Sequence, residues 1–235
     1  MDKPRWQSTF AGIAQGGVLD GLRVLAVAGL TALGGFSASA ETVKPVINWQ
    51  DAKYIDVVRQ RTDFSCGAAS LATLINGYFG KKFTEQQILK IARARYSVDE
   101  WRVKEKVGLS VEDLAFIAHK LGFASEAAAI GISGLLQIKG PVVIHVNTGN
   151  YLHFTVFRGV KDGSILLADP VLGNVRYTPG RFKKEYTGIA LAIWKEGTPL
   201  PKEYSLLVTA KDERSGVRQA RDLWTIKIQP RTSPF

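Results

Sequence analysis

Cys66 is the only cysteine in the 235-residue chain, and it stands in RQRTDFSCGAASLATLINGYFG, residues 59–80, where a polar run gives way to an apolar-periodic one. A thiol in the first turn of a helix meets unpaired backbone N–H groups and the positive end of the helix field, and both favour the thiolate. Gly67, Ala68 and Ala69 keep that turn slim enough for another backbone to approach. Three uses are open to such a cysteine: a buried inert residue, as free cysteines often are, an intermolecular bridge, or a nucleophile. Its neighbours Arg61, Thr62, Asp63 and Ser65 are poor core material.

A nucleophilic thiol needs a base, and the chain has three histidines. His119 falls within a helical pattern and reads as a surface residue. His145 lies inside PVVIHV, on one face with Val143 and Asn147, as a strand histidine or a pocket residue. His153 opens HFTVFRG, at a strand end where loops gather. Asp169 closes SILLAD. If those two strands pair across the Asp162-Gly163 turn, His153, nine residues before Asp162, and Asp169, six after Gly163, meet at the outer ends of one hairpin. That juxtaposition would give an imidazole its orienting acceptor. The oxyanion of an acyl transfer needs donors. The Cys66 N–H is one candidate and the Gln60 amide another, although Gln60 reads equally well as structural. A metal site built from Cys66, His145, His153 and Asp169 is a weaker alternative, because no CxxC or HxxxH pair is present. GxxxxGK[ST] is absent as well, so no nucleotide-driven motor is encoded in this sequence.

The elements that must position these residues follow from periodicity. Leu71, Leu74, Ile75 and Tyr78 recur at helical spacing from Gly67 until Gly80. Thr84 with Gln87, and Ser110 with Asp113, are capping-box pairs opening two further helices, the second closing at Gly122. A short helix is expected at 133–138. After Pro141 the period changes to strands at 141–146, 153–159, 164–169, 174–178 and 187–194, with a helical segment near 180–186. A short strand is expected within 41–58, and two more in EYSLLVTA and LWTIKIQP. Helices first and an antiparallel sheet afterwards make an α+β fold with the helices on one side.

Residues 24–36, VLAVAGLTALGGF, are uncharged, preceded by Lys3, Arg5 and Arg23 and followed by Ala38-Ser39-Ala40. That order is a secretory leader cut after Ala40 or, if retained, an inner-membrane anchor. The expected division is therefore a leader or anchor over 1–40, a working domain over 41–197 and an extension over 198–235. Loss of the leader takes the net charge from +10 to +9, since Lys3, Arg5 and Arg23 outnumber Asp2 and Asp20 by one. So basic a protein is steered toward anionic partners, but its cations are scattered, with no finger, RNP-like or basic-zipper pattern, so nucleic acid is not the expected partner. An exported protein with one cysteine forms no internal disulfide and exposes its thiol to an oxidising space.

Taken together, Gln60, Cys66-Gly67-Ala68, His153-Phe154 and Asp169-Pro170 resemble the double-glycine cysteine peptidases over residues 55–195. The resemblance implies a papain-like fold and no cofactor. It implies Cys66 as nucleophile, His153 as base, Asp169 as its orienting acid and Gln60 in the oxyanion hole. It implies cleavage after Gly-Gly of a polypeptide crossing the cell envelope, in the periplasm, beside a secretion component. The chain is similar to free-standing exported members, some of which accompany bacterial surface-amyloid secretion. Ser65 departs from the family, which carries Asp before the cysteine. Two rival functions are a non-cleaving chaperone or adaptor of a secretion system on the same fold, and another acyl-transfer enzyme of transglutaminase-like or deamidating type.

Overall fold

The computed structural model describes residues 48–149, 151–209 and 212. The first described element, α1 (Trp49–Ala52), is a single helical turn, and no strand forms among residues 48–58; the remainder of the stretch where one was expected, 41–47, lies outside the described residues. Asn48 caps it by accepting from the Gln50 N–H at 3.1 Å.

Helix α2 (Cys66–Phe79) is apolar on nearly every side and is correspondingly buried, with Ala68, Leu71, Leu74 and Ile75 fully covered. Gly80 ends it in the left-handed conformation, φ +65°, which a residue without Cβ adopts at no steric cost. Helices α3 (Glu85–Arg93) and α5 (Val111–Lys120) both open with the capping boxes read from the sequence, Thr84 with Gln87 and Ser110 with Asp113. Between them lies α4 (Val98–Val107), which periodicity did not indicate. It has its own capping box, Ser97 with Glu100, but no buried residue, so it shows no apolar stripe to detect.

The sheet has six strands: β1 (Ala124–Ala129), β2 (Val142–Asn147), β3 (Leu152–Lys161), β4 (Ser164–Asp169), β5 (Gly173–Tyr177) and β6 (Tyr186–Trp194). Their spatial order is β1-β6-β2-β3-β4-β5, and every neighbouring pair is antiparallel. Strand β1 is the unexpected member. Its sequence, ASEAAA, lacks β-branched or aromatic residues, and the open edge of β6 recruits it, from Ala124 opposite Trp194 to Ala129 opposite Ile189. Pairing here overrides propensity.

Alternation along the strands divides the core in two. Val143, Val156, Ala168, Leu191 and Ile193 pack with the helices α2 and α5, through Leu71, Ile75, Leu114 and Ile117. On the other face Ile144, Phe157, Leu167, Ala190 and Ala192 pack with Leu135 of the short helix α6 (Ile132–Leu135) and Phe182 of α7 (Pro179–Glu185). The fold is α+β as expected, but its helices are not confined to one side. Among the described helices α2 and α5 lie on one face, with α3 packed against them, and two short ones cover part of the other.

EYSLLVTA does not form a strand within its described residues. Leu206, 1% exposed, instead plugs against Gly77 of α2, where an added Cβ would lie 2.4 Å from the leucine Cγ. Ser205 N–H donates to Gly77 O and Arg158 Nε to Leu206 O, both at 3.0 Å. LWTIKIQP, the leader and the apolar run 24–36 lie outside the described residues. Among the described residues no helix is long and apolar enough to cross a membrane.

Candidate active site

The loop before α2, the start of α2 and the outer end of the β3–β4 hairpin converge on one point. Cys66 is the first residue of α2, with Ser65 as its N-cap. Ser65 does not cap by side chain. Its buried hydroxyl lies between Thr62 O, at 2.7 Å, and the carboxylate of Glu85. The first-turn N–H groups of α2 are thereby left without that side-chain acceptor, and an anion can use them. Gly67 allows the close seating of this helix end: a Cβ there would stand 3.1 Å from Leu114 and 3.3 Å from Phe154. Three residues on, Ser70 Oγ donates to Phe154 O at 2.9 Å and ties the helix to the strand that carries His153.

His153 and Asp169, 4% and 1% exposed, lie at the outer end of the hairpin formed by β3 and β4. Imidazole Nε2 and Asp169 Oδ2 are 3.0 Å apart. The second oxygen, Oδ1, accepts from the Val171 N–H at 2.8 Å and the Leu172 N–H at 2.9 Å. One carboxylate thus shapes the turn after β4 and holds the ring. An ionised carboxylate only accepts, so Nε2 carries the proton and the neutral ring keeps its lone pair on Nδ1. That atom is buried and makes no other hydrogen bond of normal geometry. It is left to face Cys66, close enough for ring and thiol to perturb each other.

The electrostatics agree with that placement. Burial pushes the Cys66 thiol up, but the His153 hydrogen bond and charge, with the N–H groups of Phe154 and Gly67, bring it below its ordinary value. Burial pulls an imidazole down, yet the bonds to Asp169 and Cys66 outweigh it and push His153 up to about 9. A low thiol beside a high imidazole is a thiolate–imidazolium pair, the activated state of a cysteine nucleophile.

Gln60 sits upstream on the same loop. Its backbone N–H donates to Pro170 O at 3.0 Å, linking it to the residue after Asp169. Side-chain Nε2 donates to Thr62 O at 3.1 Å, while Oε1 is buried without a partner. An amide nitrogen carries two protons, and the second lies toward the Tyr151 hydroxyl, which itself stands against Cys66.

His119 is exposed on α5 and stands apart from this group. His145 borders the same cavity as Cys66, a cleft of about 420 Å³ walled also by Leu109, Leu152, Phe154 and Ile189. Among the described residues no three His, Cys, Asp or Glu side chains are grouped to hold a metal ion.

Two residues of this site escaped sequence reasoning. Tyr151, two positions before His153, reaches across the cleft and donates its hydroxyl to Asp63 O at 2.7 Å, its ring 5.7 Å from His153. Its only signal was an aromatic beside the histidine. Glu85 is 2% exposed and accepts from the Arg61 N–H at 2.9 Å as well as from Ser65. A carboxylate is thus delivered to the loop at Ser65 from α3, and nothing in the local sequence marked that glutamate for burial.

Comparison with known proteins adds the following. Residues 54–198 match the peptidase C39 family. The probable functional amyloid protease FapD of Pseudomonas fluorescens is 31% identical over 170 residues, covering 72% of this chain and 74% of that protein. FapD of Pseudomonas aeruginosa is 29% identical over 185 residues, 76% and 79% of the two chains. Among solved structures, the peptidase domain of Streptococcus ComA, a bi-functional ABC transporter of a quorum-sensing pathway, superposes with a TM-score of 0.52 at 22% identity, covering 60% of this chain and 98% of that domain. The likeness to ComA concerns the fold.

Proposed function

Because this chain belongs to the peptidase C39 family and is a cysteine peptidase, we propose that it is an endopeptidase that cuts an exported polypeptide after Gly-Gly, with Cys66, His153, Asp169 and Gln60 as its working residues. The observation that carries the assignment of roles is the buried His153–Asp169 bond at 3.0 Å, with the remaining imidazole nitrogen turned to Cys66.

In this reading the cycle begins at the thiolate. Thiolate Sγ attacks the scissile carbonyl carbon, and the C–S bond forms as the carbonyl electron pair moves to oxygen. The Cys66 N–H and the Gln60 amide hold that oxyanion. As the tetrahedral centre collapses, the C–N bond breaks and the His153 imidazolium gives its Nδ1 proton to the leaving amine. Water then loses a proton to Nδ1 and attacks the thioester carbon, and the C–S bond breaks to return the thiolate. Asp169 keeps the ring in one tautomer throughout.

The printed name of the FapD relatives, functional amyloid protease, supports an amyloid-associated protein as substrate class; in this reading that protein is exported, a secretion component is the partner and the periplasm the site of action. Residues 1–40 serve as leader or inner-membrane anchor in this reading, 41–197 as peptidase domain and 198–235 as an extension. The test is incubation of wild type and Cys66→Ala with a synthetic peptide containing one Gly-Gly pair, read by mass spectrometry. Wild type is expected to give a single cut after the second glycine and Cys66→Ala none, with both proteins melting alike. Cleavage elsewhere would overturn the Gly-Gly specificity. Cleavage by the variant would overturn the nucleophile.

A further inference from the structure

His145 borders the cavity that holds Cys66, and the mechanism does not use it. On β2 it stands opposite Phe154 of β3, with ring centroids 4.9 Å apart, and it is half-buried. Thr187, on β6, fixes its proton. The Thr187 hydroxyl donates its single hydrogen to the His145 carbonyl oxygen at 3.0 Å. The same hydroxyl is 3.0 Å from His145 Nδ1, where it can then only accept. Nδ1 therefore carries the proton, and in the neutral ring Nε2 bears a lone pair. Burial and the nearby His153 charge keep the ring below its ordinary pKa and so neutral at pH 7. Nε2 makes no hydrogen bond to the described residues and is not a buried orphan. It is an acceptor open to a cleft of mixed lining, Leu109, Leu152 and Phe154 together with Lys104, Ser110 and Tyr151.

A peptide strand entering a cleft loses water from its N–H groups, and each one left unmatched is costly. An oriented lone pair beside the nucleophile answers that cost at one place along the strand. We propose that His145 Nε2 accepts a backbone N–H of the substrate and so sets the register that puts one carbonyl over Cys66. His145 is then a specificity-determining residue for the reaction above, and the inference rests on that reading.

The experiment is a backbone-ester scan of the Gly-Gly peptide, in which each N–H except the scissile one is replaced in turn by oxygen. In wild type, one ester position is expected to lower kcat/KM by about three- to tenfold, the worth of one hydrogen bond. In His145→Phe, which keeps a ring against Phe154, that position becomes silent. His145→Gln puts an amide oxygen near the place of Nε2 and keeps the sensitivity, whereas the shorter His145→Asn loses it. The Gln and Asn pair decides the matter even if the Phe variant does not fold. Equal ester effects in wild type and the variants, or no sensitive position in wild type, would overturn the inference and leave the peptidase reading standing. Failure of wild type to cut the all-amide peptide would instead remove the Gly-Gly reading, and this inference with it.

Discussion

Replacing Asp169 by Asn changes one atom and reverses the proton logic of the site. In the wild type Oδ1 accepts two backbone N–H groups, from Val171 and Leu172, and Oδ2 accepts from His153. An asparagine has one oxygen for both duties. If that oxygen stays on the turn, two hydrogen bonds are kept and the NH2 group faces His153. Nε2 must then accept, the ring proton moves to Nδ1, and the nitrogen facing Cys66 is no longer a base. The opposite rotamer serves the ring but strands two N–H donors in a place that is 1% exposed, so the first arrangement wins. The imidazolium suffers as well. Its rise from 6.5 to about 9 corresponds to about 3 kcal/mol in favour of the charged ring, and Asp169 is the leading cause that raises it. With that support gone, burial pulls the ring back down. The thiolate–imidazolium pair of the wild type is lost only as pH rises through about 9. In Asp169→Asn that upper limb should move to lower pH, and kcat/KM should fall by about two to four orders of magnitude. Iodoacetamide alkylation of Cys66 across pH reads the pair without any substrate. A variant whose profile still turns near the wild-type upper limb would refute the assignment of Asp169 as the group that holds the ring.

Three further outcomes follow from the same contacts. His153→Ala removes the main influence opposing burial at Cys66, so its thiol should titrate above the ordinary ~8.5, and alkylation at neutral pH should slow accordingly. Glu85→Ala leaves the Arg61 N–H without its acceptor and unpairs Ser65 from its carboxylate, and should cost about 1–3 kcal/mol in urea denaturation. Glu85→Gln, which keeps an acceptor there, should recover most of that loss. Gly77→Ala drives a methyl into Leu206, 2.4 Å from its Cγ. It should cost about 1–3 kcal/mol and, by releasing the Ser205–Leu206 anchor, create an early proteolytic cut after Pro201.

The sequence was most informative where local chemistry decides structure. Asp162-Gly163 fixes the hairpin turn, and the hairpin fixes which histidine meets which acid. Thr84 and Ser110 mark their helix starts because a cap is a contact within four residues. Legibility fails where a distant partner decides. ASEAAA becomes a strand only because β6 offers an edge. Leu206 packs as a plug because Gly77 leaves a hole. Tyr151 and Glu85 acquire meaning from Asp63 and Ser65, 88 and 20 residues away, and no periodicity reports such a distance. Helix α4 is illegible for another reason: its caps are present, but it fully buries no residue and only leans Trp101 against the core.

The two halves of the site differ in how far along the chain they must travel to meet. His153 and Asp169 are 16 residues apart and join when one hairpin closes. Cys66 reaches them only when α2 docks on the sheet, a step represented by the Ser70–Phe154 bond across 84 residues. Loop-closure entropy places the short contact early in folding and the long one late. A nascent or half-folded chain would therefore carry an ordinary thiol and a finished histidine–acid pair that has nothing to activate. Proteolytic competence is in that sense a readout of the last docking event, and a chain threaded unfolded through a membrane pore would travel with its chemistry switched off.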